Sequence, residues 1–180
     1  MSGTHGFLGK NENRIARQGA MNNSVGVWDA STGIEILSEP VVRQQMLQEY
    51  HISPDGEFLL ARNAQAKTVL LRDLAAKKQT TVAAVSPIQF SPDGKGFLAA
   101  RQDGGLALWE SRGPRVLRTL PGTSSEILCA TFNRDGAFVA AGGKDGKAYV
   151  WNSRTGQPLF AQVASTRQLQ SVILSPDGKR

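Results

Sequence analysis

The sequence predicts an all-β fold in which one unit of four short strands recurs about every 40 residues, and three observations carry that expectation. The first is a turn signature. It reads Ser53-Pro54-Asp55-Gly56, Ser91-Pro92-Asp93-Gly94, Asn133-Arg134-Asp135-Gly136 and Ser175-Pro176-Asp177-Gly178, with its aspartates 38, 42 and 42 residues apart. The second is a further mark 16 or 17 residues behind each of the first three aspartates: Arg72-Asp73, Trp109-Glu110 and Trp151-Asn152, with Trp28-Asp29 upstream. These marks are 44, 37 and 42 residues apart, so two independent features share one period. The third is the texture between the marks, where short apolar runs alternate with Asp-Gly turns. Glycine reaches positive φ without steric cost, so such runs read as antiparallel strands joined by tight hairpins.

Taken in order, the units cover about residues 7–38, 47–84, 87–120 and 126–163, and a further one begins over 169–180. In the first unit the leading strand is reduced to Phe7, and Asn22-Asn23 stands where Asp-Gly occurs later; Asn also tolerates the left-handed region. The third unit has runs at 87–90, 96–100, 105–109 and 115–120. Its third run alternates so that Leu106 and Leu108 share one face while Ala107 and Trp109 share the other. Both faces are apolar or small, which predicts a strand covered on both sides. The fourth unit is the clearest, with runs ending at Phe132, spanning 138–141 and 148–151, and closing over 157–163. Residues 169–174 read as the first strand of the next unit. Four-stranded sheets repeated at this period and packed face to face are the sequence form of a β-propeller. The strands add up to four blade equivalents.

These residues resemble the WD40 repeat proteins, in a bacterial-type version rich in SPDG turns. The resemblance runs from about Arg14 to Arg180. Its best matches are Trp28-Asp29 followed by Ser31-Thr32-Gly33, and the repeat around Asp145-Gly146 and Trp151. The resemblance implies a hydrogen-bonded set in each blade: a Ser or Thr in the second strand, an Asp in the turn between second and third strands, a His before the first strand, and the third-strand Trp. Asp103 with Trp109 and Asp145 with Trp151 keep the family's six-residue spacing. Ala99 and Ala141 stand at the hydroxyl position, Thr123 stands at the His position, and the second unit has Ala66 and Arg72 in place of Asp and Trp. Trp28, Asp29, Asp73, Asp103, Trp109, Asp145 and Trp151 are thus read as structural repeat marks.

The totals narrow the function. The chain has 180 residues, 40% hydrophobic and 20% charged, and no apolar run near the ~20 residues that span a bilayer. The N-terminal stretch lacks a continuous apolar core of the secretory kind. Cys129 is the single cysteine and reads as a buried thiol, which together with the missing leader leads us to expect a cytoplasmic protein. With His5 and His51 it cannot build a zinc site of the common Cys/His kinds, and no metal or cofactor is expected. The aspartates of the repeated turns are fold residues rather than catalytic carboxylates. Residues 142–147 resemble a phosphate loop but lack its spacing, and Thr123-Ser124-Ser125 lies in a polar loop with no nucleophile elbow in the chain, so no enzymatic activity is expected.

The expectation is a non-catalytic scaffold that presents loops to a protein or peptide partner. The resemblance implies docking on the face formed by the turns between second and third strands and the connections from a fourth strand to the next blade. Arg17-Gln18, Arg62-Asn63, Arg101-Gln102 and Lys144 all fall at or near the start of such turns. Together with the net charge of +6 they make a basic arc that fits an acidic or phosphorylated partner. Two rival readings stay open: a propeller segment of a hydrolase, peptidase or signalling protein whose other domains lie elsewhere, and a nucleic-acid surface. Aromatic residues do not interleave with the basic ones, which disfavours single-stranded nucleic acid. Four blades are few for a ring, and two outcomes stay open: residues 169–174 pair with residues 14–19 and close a small ring, or, as we expect, the arc stays open, with faces such as that bearing Val25 and Val27 exposed and a homodimer completing an eight-bladed ring.

Overall fold

A computed structural model describes residues 7–8, 14–18, 24–40, 47–123, 125–175 and 178, and the side chains of 26–36, 47, 49–123, 125–175 and 178. His5, the Asn22-Asn23 turn, Ser124 and Asp177, and the side chains of Arg17, Gln18 and Val25, lie outside the described residues. The chain divides into two compact units, Met1–Val82 and Ala83–Arg180.

The first unit holds two four-stranded antiparallel sheets. One contains β1 (Phe7–Leu8), β2 (Arg14–Gln18), β3 (Ser24–Asp29) and β4 (Glu35–Pro40); the other contains β5 (Leu47–Ile52), β6 (Phe58–Asn63), β7 (Thr68–Asp73) and β8 (Lys78–Val82). Strands adjacent in sequence are adjacent in space, as tight hairpins require. Val27 is fully buried and clusters with Leu47, Tyr50, Ile52, Leu59, Ala61 and Leu70. The expectation that the Val27 face is exposed is therefore overturned. Period-two alternation puts Val27 on the face turned toward the second sheet, and Gly26 and Trp28 on the opposite one. There the Trp28 indole lies over Gly26, occupying the space a side chain would need.

The second unit repeats the plan. Its sheets contain β9 (Ala84–Phe90), β10 (Gly96–Arg101), β11 (Leu106–Glu110) and β12 (Val116–Leu120), then β13 (Ile127–Phe132), β14 (Phe138–Gly143), β15 (Lys147–Asn152) and β16 (Pro158–Val163). Strand β9 starts at Ala84 rather than at Pro87, because Ala84 and Val85 still find partners in Arg101 and Ala100. One core is shared by the two sheets: Leu98, Ala100 and Leu106 from one, Val139, Ala141, Tyr149 and Trp151 from the other. The Tyr149 and Trp151 rings stack with centroids 5.7 Å apart, and the Trp151 indole N–H donates to the Pro121 carbonyl at 2.8 Å. On the other face of β14, Ala140 and Gly142 are buried as well.

That second face is covered by residues 169–172. They form no strand, contrary to expectation. Instead the Leu169 N–H donates to the Gly143 carbonyl, and the Leu169 and Val172 side chains lie where a Cβ on Gly142 would be. The segment sits flat on the sheet because Gly142 leaves room for it, not because it joins a ladder.

The repeated turns explain their own sequence. In Ser53-Pro54-Asp55-Gly56 the buried Ser53 hydroxyl bonds the Asp55 carboxylate at 2.5 Å and accepts the Phe58 N–H at 2.9 Å. Ser91 does the same with Asp93 and Gly96, and Asn133 replaces serine by accepting the Phe138 N–H through its side-chain carbonyl at 2.9 Å. Each turn buries a hydroxyl or amide whose partners are local, which satisfies buried polar groups at little cost in order. The carboxylates of Asp55, Asp93 and Asp135 accept the backbone N–H two residues on. The second repeat mark is likewise a turn maker. Asp29 accepts the N–H of Ser31 and Thr32, Asp73 those of Ala75 and Ala76, and Asn152 those of Arg154 and Thr155.

Two predictions follow from the packing. Trp151 is fully buried, so Trp151→Ala should cost about 3–5 kcal/mol and produce a large drop in melting temperature. Gly104 and Gly146 both have positive φ, at 91° and 76°. A methyl at Gly104 meets nothing within 4 Å, whereas one at Gly146 falls on the Ser165 carbonyl. Gly104→Ala should therefore cost about 1 kcal/mol of backbone strain, and Gly146→Ala clearly more, as read by urea denaturation of each variant.

Candidate interaction surface

The residues expected to bind a partner stand at or next to the ends of β2, β6, β10 and β14. Antiparallel pairing places these strand ends at the same end of each sheet. Arg17 and Gln18 end β2, opposite Gly26 and Val25 of β3.

Arg62, half-buried in β6, directs its Nε toward Glu49 Oε2 at 3.4 Å. Glu49 has φ of 55°, at a register irregularity where β5 pairs with β6, and this turns its carboxylate to serve both Arg62 and His51. Asn63 is buried, and its side-chain oxygen accepts the Ala66 N–H at 2.8 Å. Asn63 is therefore a turn-forming residue with its carbonyl already used, not an exposed contact. In the second unit Arg101 pairs with Asp103 at 2.5 Å and Lys144 with Glu126 at 3.3 Å, while Gln102 is exposed in the turn.

Arg62, Arg101 and Lys144 thus each face an acid of the same blade, which lowers the field that each bare cation would project. Exposed pairs of this kind contribute only about 0–1 kcal/mol each, so they hold the side chains loosely and can be exchanged for a ligand carboxylate or phosphate.

The hydrogen-bonded set implied by the resemblance is replaced by another. Asp145 Oδ2 accepts the Tyr149 hydroxyl at 2.9 Å, its Oδ1 accepts the Lys147 N–H, and its own N–H donates to Ser125 Oγ. Trp151, six residues on, bonds the Pro121 carbonyl instead. The Trp109 indole N–H is buried and has no partner among the described residues. Tyr149 was not singled out from the sequence. Its alternation with Trp151 on one strand, four residues behind an acid, is the signal that would have marked it.

Asp29, at the turn after β3, has its carboxyl lowered to about 2 by the Ser31 hydroxyl and then the Thr32 N–H. Cys129 is a free, half-buried thiol pushed upward by burial. Among the described residues no group of three or more His, Cys, Asp or Glu stands close enough to hold a metal, and no helix is long and apolar enough to cross a membrane. Tyr149→Phe should cost about 1 kcal/mol of stability by removing the bond to Asp145 while leaving ring stacking intact, a loss measurable by thermal unfolding.

Comparison with known proteins agrees with this architecture. Residues 114–152 match the family described as WD domain, G-beta repeat. The chain is 24% identical over 161 residues to the WD repeat-containing protein WDS homolog of Arabidopsis thaliana, covering 86% of this chain and 30% of that protein. It is 24% identical over 142 residues to the serine-threonine kinase receptor-associated protein of Gallus gallus, covering 77% of this chain and 39% of that one. In fold it is similar to the Cps50 (Swd1) beta-propeller domain of Myceliophteria thermophila, with a TM-score of 0.72 at 18% identity, over 97% of this chain and 59% of that one. The chain thus spans well under two thirds of the length of these relatives. The likeness in fold makes its four-stranded sheets blades of a β-propeller, and residues 114–152 carry the match to the WD repeat.

Proposed function

We propose that this chain is a non-catalytic interaction scaffold, which presents the turns between second and third blade strands to a protein or peptide partner carrying acidic or phosphorylated residues. The observation that carries this reading is the like setting of Arg62, Arg101 and Lys144, each within its own blade. Each is held at a turn by a weak ion pair, on blades whose backbones are locked by ladders and buried turn residues. A tightly held turn with an exchangeable cation at its end binds an acid at low cost in ordering. One relative is named as receptor-associated, which is in keeping with a partner-binding role. Association of two copies is a further part of the reading, and so is a reduced, cytoplasmic setting, which rests on the one free thiol.

Replacing Arg17, Arg62, Arg101 and Lys144 by Ala should leave the fold intact, with changes of about 0.5 kcal/mol or less at the exposed side chains of Arg101 and Lys144 and about 1 kcal/mol at the half-buried Arg62. The same variant should lose binding to a labelled Glu-rich peptide and to its phosphoserine counterpart, followed by fluorescence anisotropy. Unchanged affinity for both probes would retire the acidic-partner reading.

A further inference from the structure

One joint inside the second unit shows how a hairpin turn of one blade seats on the outer strand of its neighbour. The turn joining β15 to β16, Asn152-Ser153-Arg154-Thr155-Gly156, lies on β12. Gly156 is buried with φ of 75°, and a Cβ there would stand 2.9 Å from the Thr119 carbonyl oxygen. Beside it the Arg118 Nε–H donates to the Arg154 carbonyl at 3.0 Å. The seat therefore accepts only a turn with glycine at its fifth position, because any side chain would run into backbone.

The chain has four such turns between third and fourth strands, and all are described. Those after β7 and β11 carry Lys77 and Pro114 at the fifth position and do not fit the seat. The turn after β3, Asp29-Ala30-Ser31-Thr32-Gly33, does fit. It reproduces the β15–β16 turn bond for bond. The Gly33 N–H donates to the Asp29 carbonyl and the Gly156 N–H to that of Asn152, both at 2.8 Å. The Thr32 and Thr155 N–H groups reach the Asp29 and Asn152 side chains at 2.9 and 3.0 Å. Gly33 has φ of 69° against 75° for Gly156. Yet a Cβ on Gly33 would meet nothing within 4 Å, and the next residue, Ile34, is 65% exposed.

A seat of the same register also lies open. β11 pairs with β12 through Leu108↔Arg118, and β15 pairs with β16 through Val150↔Phe160, each with a register shift just before the tryptophan. Phe160 is thus the positional equivalent of Arg118, and Ala161 that of Thr119. All six residues of β16 are exposed, including Leu159, Phe160 and Val163. The chemistry of plug and seat changes together. At the occupied joint a polar seat, Arg118, meets a turn followed by Gln157. At the open one an apolar seat, Phe160, matches a turn followed by Ile34.

We propose that two copies of this chain associate head to tail, with the β3–β4 turn of one copy seated on β16 of the other, Gly33 over the Ala161 backbone and Ile34 against Phe160. The proposal rests on the self-association part of the reading above and names its surfaces. Wild-type chain should show a concentration-dependent dimer or larger species by sedimentation velocity. Ile34→Asp and Phe160→Asp should each weaken it by roughly tenfold or more, with circular dichroism unchanged because both positions are exposed. Mixing the two variants in equal amounts should restore association, since the intact turn of Phe160→Asp meets the intact strand of Ile34→Asp. If either variant fails to fold, Ile34→Cys with Phe160→Cys in a Cys129→Ser background should form a reducible intermolecular disulfide. A wild-type monomer at every concentration overturns both self-association and this joint. A dimer indifferent to both substitutions, or a cysteine pair that never cross-links, overturns the joint alone.

Discussion

The interaction on which the rest depends is sheet-on-sheet packing, with the inner strands kept dry on both faces. β14 shows it most plainly. Val139 and Ala141 are buried toward the preceding sheet, and Ala140 and Gly142 are buried on the other side. A strand with two dry faces needs small or apolar residues at every position, and it must satisfy its backbone within its own ladder, because no water reaches it. Both requirements are met by a four-stranded antiparallel sheet whose middle strands are short. The outer strands then carry the polar load: β8 and β12 are largely exposed, and β16 is exposed throughout.

The turns follow from the same constraint. Where a middle strand ends, the chain must reverse within a few residues and leave no buried polar group unpaired. Ser53, Ser91 and Asn133 do this at one end of their blades, each accepting the N–H of the residue that reopens the next strand. Ser111 and Ser153 tie the turn after the third strand to the turn after the first, through the Gly94 and Gly136 carbonyls. The blade is thereby stitched by hydroxyls and amides where the Asp–His–Ser/Thr–Trp set that the resemblance implies is incomplete. Tyr149 fills part of that gap, carrying a hydroxyl to Asp145 from the strand that also holds Trp151.

The surface available for binding is what this arrangement leaves over. Cations at the second-to-third strand turns sit on short, well-tied hairpins, so their backbone positions are set even though their side chains are only loosely paired. The pairing acids come from neighbouring strands or from the same turn: Glu49 from β5, Asp103 from the turn itself, Glu126 from the residue before β13. Under the proposed function, a ligand competes with those acids, and that competition sets specificity more than net charge does.

The repeat was legible in the sequence because its cause is local. Asp-Gly turns need positive φ at glycine, Asx turns need Asp or Asn at a set offset, and two-residue alternation states which side chains share a face. Those rules act within a few residues, and they account for the period, the strands and the structural role of Asp29, Asp73 and the SPDG aspartates. Other features depend on what lies across space. Val27 proved to be core because its face meets the second sheet, which alternation alone does not say. Residues 169–174 have the composition of a strand, yet they form no ladder and are held over Gly142 by the Leu169 N–H bond to the Gly143 carbonyl, since a ladder needs a partner that composition cannot supply. Asn63 was expected to reach a ligand and instead closes its own turn. The charges at Arg62, Arg101 and Lys144 could be placed at turns from the sequence, but their neutralisation by Glu49, Asp103 and Glu126 required the register of neighbouring strands. The sequence by itself determined the unit that repeats; the tertiary structure decided which faces of that unit are covered, because burial is a property of two surfaces and the sequence describes them one at a time.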